Sequence, residues 1–309
     1  MECPAVGYPP DLALDSADVM VENCVGILGV PLGLGLHFVI NNVEYAIPMA
    51  IEEPSVIAAA SGAAKTIALG GGFNAVSSRN IIQSQVQLLD VTDSDIDAMI
   101  AKLMSRKDDL ITNANAFCSN MVARGGGVVD VSIRKIARSR KIIDCSYWLV
   151  VHFHIDVCES MGANCATSVA EGSGPFLNEI TGAKIGVCIV SNMSPAHTTL
   201  SEFKICVDHL SYKGLAGRDV AERIVQASEW AMDDPYRAVT NNKGIMNGID
   251  SVALATGQDF RAIEAACHCM ADADGSYRSF SKYWMDEVDG NTFLFGYLQL
   301  SIPTASVGG

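Results

Sequence analysis

The sequence predicts an α+β protein in which a ferredoxin-like βαββαβ unit interrupts a larger, mostly helical body. Three observations predict it: strands and helices alternate between residues 81 and 192, the flanking segments carry apolar residues at helical spacing, and no strand runs into a Gly-x-Gly-x-x-Gly turn. Within the unit, Ile81 to Leu89 alternates as a strand. Ser94 to about Asn115 then puts Ile96, Met99, Ile100 and Leu103 on one helical face, with Ser94 and Asp95 in capping positions. After Gly125-Gly126-Gly127 come two strands, Val128 to Ile136 and Tyr147 to Val157, joined by a basic turn at Ser139-Arg140-Lys141. A helix from Gly162 to about Ile180 and a strand from Lys184 to Ser191 complete the unit. Outside it, Leu12 to Asn23, Pro54 to Leu69, Gly217 to Met232 and the stretches on either side of Thr256-Gly257-Gln258 read as helices. The expected division is a discontinuous large domain, residues 1–80 and 193–309, and a small domain, residues 81–192.

Composition bounds the function. With 309 residues, 49% of them hydrophobic and 18% charged, the chain has enough apolar material for a globular core. A formal net charge of -14 excludes a nucleic-acid or anionic-membrane surface, since both need clustered Lys and Arg. The longest uncharged run, Cys24 to Asn41, holds Pro31 and four glycines and reads as a packed, turn-rich segment rather than a membrane span. Ten cysteines are scattered singly behind no secretory signal, which suits reduced thiols in a cytoplasm. Cys267-His268-Cys269 has neither the spacing nor the second pair of a zinc site, so no metal is expected.

Chemistry concentrates between Asp234 and Asp250, where Arg237, Lys243 and three Asn sit among small apolar residues. Arg offers a planar fork for a carboxylate and Lys a movable charge for an oxyanion, so the segment suits an anionic substrate; a glycine-containing surface loop with incidental charges fits the same residues. Glu52-Glu53-Pro54-Ser55, Glu22-Asn23-Cys24-Val25-Gly26, Asp156 to Asn164 and Ala255 to Asp259 are also more specific than packing requires.

These strings, with Asp-Pro-Tyr-Arg and Asn-Lys-Gly-Ile-Met-Asn-Gly-Ile-Asp above all, resemble the soluble class II branch of 3-hydroxy-3-methylglutaryl-CoA reductase, in register from about Asp15 to Ser306-Val307-Gly308-Gly309. The resemblance implies an NAD(P)H-dependent oxidoreductase that interconverts hydroxymethylglutaryl-CoA and mevalonate plus CoA by two hydride transfers. It places the catalytic acid on Glu53, the lysine on Lys243 and the aspartate on Asp259. Substrate binding falls on Arg237, Ser55, Asn192 and Asn247. Cofactor binding falls on Glu159, Met161, Gly162, Ala163 and Asn164, where the family's Asp-Ala is replaced by Glu159-Ser160. The roles suit the residue types: Lys243 stabilises an alkoxide, Glu53 supplies a proton if its pKa is raised, and Asp259 holds Lys243. Cys118 stands where NADH-preferring members carry an Asp for the ribose diol, which favours NADPH over NADH. Active sites between subunits imply at least a homodimer. None of the six His matches the family's thiolate-protonating residue, which lies beyond Gly309; a noncatalytic acyl-CoA-binding or regulatory relative is the alternative expectation.

Overall fold

The computed structural model describes residues 12–140 and 142–306; Lys141 of the predicted turn and the terminal Val307-Gly308-Gly309 string lie outside the described residues. The chain opens with α1 (Leu14–Met20). Next comes an antiparallel hairpin of β1 (Leu32–Ile40) and β2 (Val43–Ala50). Asn41 and Asn42 turn it, both at positive φ (51° and 67°), as a two-residue hairpin loop demands. The turn-rich reading of Cys24 to Asn41 therefore holds only to Pro31; beyond it the glycines belong to a strand. At Gly33 a Cβ would come within 2.8 Å of Ile57 Cδ1, so glycine lets α2 (Val56–Ala68) lie close on the hairpin. A short β3 (Asn74–Ser77) leads out.

Residues 81–191 form a sheet-and-helix unit: β4 (Ile81–Leu89), α3 (Ile96–Ser105), α4 (Lys107–Asn115), α5 (Ser119–Ala123), β5 (Gly127–Ala137), β6 (Tyr147–Asp156), α6 (Ala163–Thr181) and β7 (Lys184–Ser191). All strand pairs are antiparallel, in the order β5-β6-β4-β7. The helix expected from Ser94 to Asn115 breaks at Arg106 (φ −113°, ψ 25°), whose guanidinium pairs with Asp109 and lies 5.0 Å over the Phe176 ring of α6. On the helix side of the sheet, Leu149, Val151, Phe153 and Ile155 are fully buried. The other side is polar. His152 bonds Gln85 (3.1 Å) and Gln83 (3.2 Å), and His154 bonds Ser132 (2.8 Å). Burial first, then Arg134 and His154, push His152 down to about 4.

The chain returns through β8 (Thr199–Cys206), α7 (Gly217–Asp233), α8 (Pro235–Ala255), α9 (Phe260–Ala271), β9 (Ser281–Val288) and β10 (Asn291–Leu300). The body thus holds its own antiparallel sheet, β3-β8-β10-β9, which helical spacing alone did not announce. Its core comprises two small clusters. Met246, Ile263, Cys267 and Phe280 form one, and Ile205, Val207, Ala221 and Leu294 the other. An apolar cavity of about 730 Å³ is lined by Met49, Ala64, Phe203, Ile249, Tyr283 and Leu298, among others. The two chain crossings between body and sheet unit are tied together: Ser78 Oγ donates to Ala196 O (2.8 Å) and accepts from Thr198 N (2.8 Å). Among the described residues no helix is long and apolar enough to cross a membrane, and the described cysteines are free.

Candidate active site

Asp234 explains why the most polar segment of the sequence is a helix. Its carboxylate caps α8 by accepting from Tyr236 N (2.9 Å), and Pro235 supplies a preset first helical residue. Two of the three asparagines then anchor the helix. Buried Asn242 accepts from Phe280 N (2.9 Å) and donates to Arg278 O (2.8 Å), while Asn241 donates to Ser279 Oγ (2.9 Å). Lys243 and Asn247, four residues apart, share the remaining face.

That face meets the loop between β2 and α2. Lys243 Nζ lies 2.7 Å from Glu53 Oε2, and Asn247 Nδ2 donates to the same oxygen at 3.2 Å. The acid and the ammonium expected from sequence are therefore brought together across 190 residues of chain. Glu53 departs from expectation in its protonation: the hydrogen bond and charge of Lys243 hold its carboxyl below the usual range, outweighing the opposing effect of burial, with a lesser contribution from Asn247. It is an ionised partner of Lys243 here, not a protonated acid, because both groups remain open to water. Ser55, two residues on, is exposed and sits at φ 73°. A non-glycine residue pays about 1–2 kcal/mol for that left-handed conformation, a strain that sets the direction in which the chain enters α2.

The other candidates stand apart from this contact. Asp259 does not hold Lys243 within the chain: it caps α9, its carboxylate accepting from Ala262 N (3.1 Å) and lying 3.8 Å from Arg261 Nε. The reason is helical length, since Lys243 precedes the end of α8 by twelve residues, about 18 Å of axis, and Asp259 follows the turn beyond it. Arg237 is half-buried in the first turn of α8, its guanidinium 5.8 Å over the Trp230 ring. Asn192 is exposed just past β7.

In the sheet unit, Gly162 takes φ 75° immediately before α6, where a Cβ would strike Val157 Cγ1 at 2.4 Å. Glycine is required there, and it starts a 19-residue helix to which, having no side chain, it contributes no side-chain cap. Met161 and Ala163 are half-buried beside it, and Asn164 is exposed in the first turn. Glu159 is held by the far end of the chain: Ser306 N donates to its carbonyl and Ser306 Oγ to its carboxylate, both at 3.0 Å. Nothing in the sequence signalled that partner. Cys118 is 6% exposed and packs in the core, its thiol lowered to about 7 by the hydrogen bond with Cys165.

A carboxylate–ammonium pair on the body and a glycine-led helix start on a ferredoxin-like sheet together define an α+β protein with two separate polar sites. Comparison with known proteins makes this particular: the chain belongs to the hydroxymethylglutaryl-coenzyme A reductase family, whose model matches residues 9–309. It is 38% identical over 300 residues to the 3-hydroxy-3-methylglutaryl-coenzyme A reductase of Archaeoglobus fulgidus, covering 96% of this chain and 65% of that protein. It is 30% identical over 292 residues to a probable reductase of Borreliella burgdorferi, covering 94% and 63%. Among solved structures it matches the class II reductase of Streptococcus pneumoniae bound to NADPH in open conformations, with TM-score 0.89 and 37% identity over 96% of this chain and 78% of that one. A second structure of the reductase from that organism gives TM-score 0.88 at 37% identity, covering 96% and 68%. The chain spans just under two thirds of the length of the curated relatives it matches.

Proposed function

We propose that this protein acts as a hydroxymethylglutaryl-CoA reductase, converting the thioester to mevalonate and CoA. The observation that carries the reading is the three-residue contact Glu53–Lys243–Asn247, which concentrates an acid, a cation and an amide donor on one exposed face. Lys243 is the group that meets the thioester oxygen, since an ammonium fixed where negative charge develops stabilises the alkoxide. Removing one such donor costs about 10²- to 10³-fold in rate. Glu53 begins as the carboxylate that orients Lys243. Closure over substrate, by excluding water and bringing a second acid near, raises its pKa toward that of a proton donor.

A nicotinamide cofactor supplies the two hydrides when bound, and NADPH is the form proposed, by analogy with the streptococcal structure. On this chain the residues to hold it are Glu159, Met161, Gly162, Ala163 and Asn164, with the start of α6 facing its phosphates. This reading makes residues 81–192 the dinucleotide-binding domain and the remainder the substrate-binding domain. Arg237 and Ser55 are assigned to the substrate carboxylate, with Asn192 and Asn247 as hydrogen-bonding partners. Because Asp259 stands away from Lys243 in its own chain, we assign it to the site of a second copy, which makes the functional unit a homodimer. A cytoplasmic location accompanies the reading.

The test is loss of reduced-nicotinamide absorbance with hydroxymethylglutaryl-CoA. Lys243→Ala is expected to lower the rate by about 10²- to 10³-fold, and an unchanged rate would overturn the assignment. Mixing Lys243→Ala chains with Asp259→Ala chains is expected to restore activity, because each hybrid dimer rebuilds one intact site; no recovery would return Asp259 to a structural cap.

A further inference from the structure

After β10 the chain has no helix or strand, yet residues 301–306 are bonded at three points to segments far away in sequence. At the first, buried Ser301 donates from Oγ to Ser194 O (3.1 Å), on the crossing from the sheet unit to the body, and its carbonyl accepts from the Cys267 thiol of α9 (3.4 Å). At the second, the Gln258 amide takes both backbone groups of Ala305: Nε2 donates to Ala305 O (2.8 Å) and Oε1 accepts from Ala305 N (2.9 Å). A side-chain amide paired in this way imitates a strand partner and fixes both the place and the direction of the residue it holds. At the third, Ser306 N donates to Glu159 O and Ser306 Oγ to Glu159 Oε2, both at 3.0 Å.

The second and third grips fall on consecutive residues, whose Cα atoms are about 3.8 Å apart across one planar peptide. No slack separates them. Gln258 immediately precedes Asp259 in the turn between α8 and α9, and Glu159 opens the run ahead of α6. That run is held on its other side by Asn80, which donates to Cys158 O (3.0 Å) and Ser160 O (3.1 Å). A displacement of the α8–α9 turn is therefore passed through one peptide to Glu159. We propose that residues 301–306 form a strap tying the α8–α9 turn to the loop ahead of α6, and that Gln258 and Ser306 are positioning residues for the nicotinamide cofactor. The inference rests on the functional reading above, which gives that loop its ligand. Gln258 and Ser306 touch no reacting atom and act through Glu159.

The experiment uses the full chain and compares wild type with Gln258→Ala, Ser306→Ala, the double variant, and Ser306→Thr, which keeps the hydroxyl. NADPH affinity is read from dinucleotide fluorescence, hydroxymethylglutaryl-CoA affinity from calorimetry, and deuterium exchange of the Ser306 amide by NMR without ligand. Gln258→Ala is expected to speed exchange at Ser306, one residue beyond the bonds it removes. Each single alanine variant is expected to weaken NADPH binding by roughly threefold to tenfold, as the loss of about one hydrogen bond does, with thioester affinity as in wild type. The double variant is expected to lose less than the product of the two, since a strap already cut cannot be cut again. Ser306→Thr is expected to bind NADPH as wild type does. Unchanged exchange at Ser306 in Gln258→Ala, or losses that multiply in the double variant, would overturn the strap. Equal losses of NADPH and thioester affinity would overturn the positioning role in favour of general destabilisation. A wild-type chain that binds no NADPH, while Gln258→Ala still speeds exchange at Ser306, would overturn the cofactor reading and the positioning role but uphold the strap.

Discussion

The sheet unit and the body are built from the same residue types but packed differently. In the unit, one continuous cluster runs from Ile82 to Ala183 and includes Phe153, Leu149 and Leu177 with no exposure at all. In the body, the buried residues fall into two separate clusters and a large apolar cavity adjoins both α2 and α8. The unit thus supplies a filled platform behind the start of α6, whereas the body keeps open space beneath the helix that carries Lys243.

The sharpest test replaces one large aromatic in each region. Phe153→Ala is expected to cost about 3–5 kcal/mol in urea unfolding, because a filled core can relax only partly around the loss. Phe203→Ala, which borders the cavity, is expected to cost distinctly less, its ring already lacking neighbours on one side. Equal losses would erase the distinction. The converse substitution is smaller in effect. Ala170→Val, at a fully buried position in the unit, is expected to destabilise by about 1–3 kcal/mol through overpacking. Ala64→Val, facing the cavity, is expected to be neutral or to stabilise by about 1 kcal/mol through the apolar surface it buries. Smallest is a pH effect confined to the sheet. Because His152 titrates lower folded than unfolded, the unfolded chain binds more protons between about 6.5 and about 4, and stability falls as pH drops through that range. His152→Gln should flatten this limb of the stability profile, and an unaltered limb would place the acid sensitivity elsewhere.

The sequence was most readable where packing is local and complete. The strands Ile81–Leu89 and Lys184–Ser191 fall within the bounds read from sequence, and α7 begins at its Gly217. The long helix of the unit was read as one piece because its apolar positions stay in phase across Arg106, and only contact with Phe176 reveals the break. In the body, β8, β9 and β10 went unread because their alternation is interrupted by residues such as Glu202, Lys204, Asp286 and Gly296, and because strand pairing is a long-range property. The site divides likewise. Motif strings led to Glu53 and Lys243, which touch, but residue types could not show that Glu53 would be ionised, that Cys118 would point inward, or that Asp259 would lie a helix-length away.

The bonds around Ser78 have a mechanical meaning. Together with Asn80, whose side chain donates to the carbonyls of Cys158 and Ser160, and with the clasp of Ser306 on Glu159, they gather at one end of the unit's sheet like the pins of a hinge. Each such bond contributes only about 1 kcal/mol, so a modest swing about this seam is inexpensive. The start of α6 lies on one side of this seam and Glu53 on the other, so any rotation there changes the distance between them.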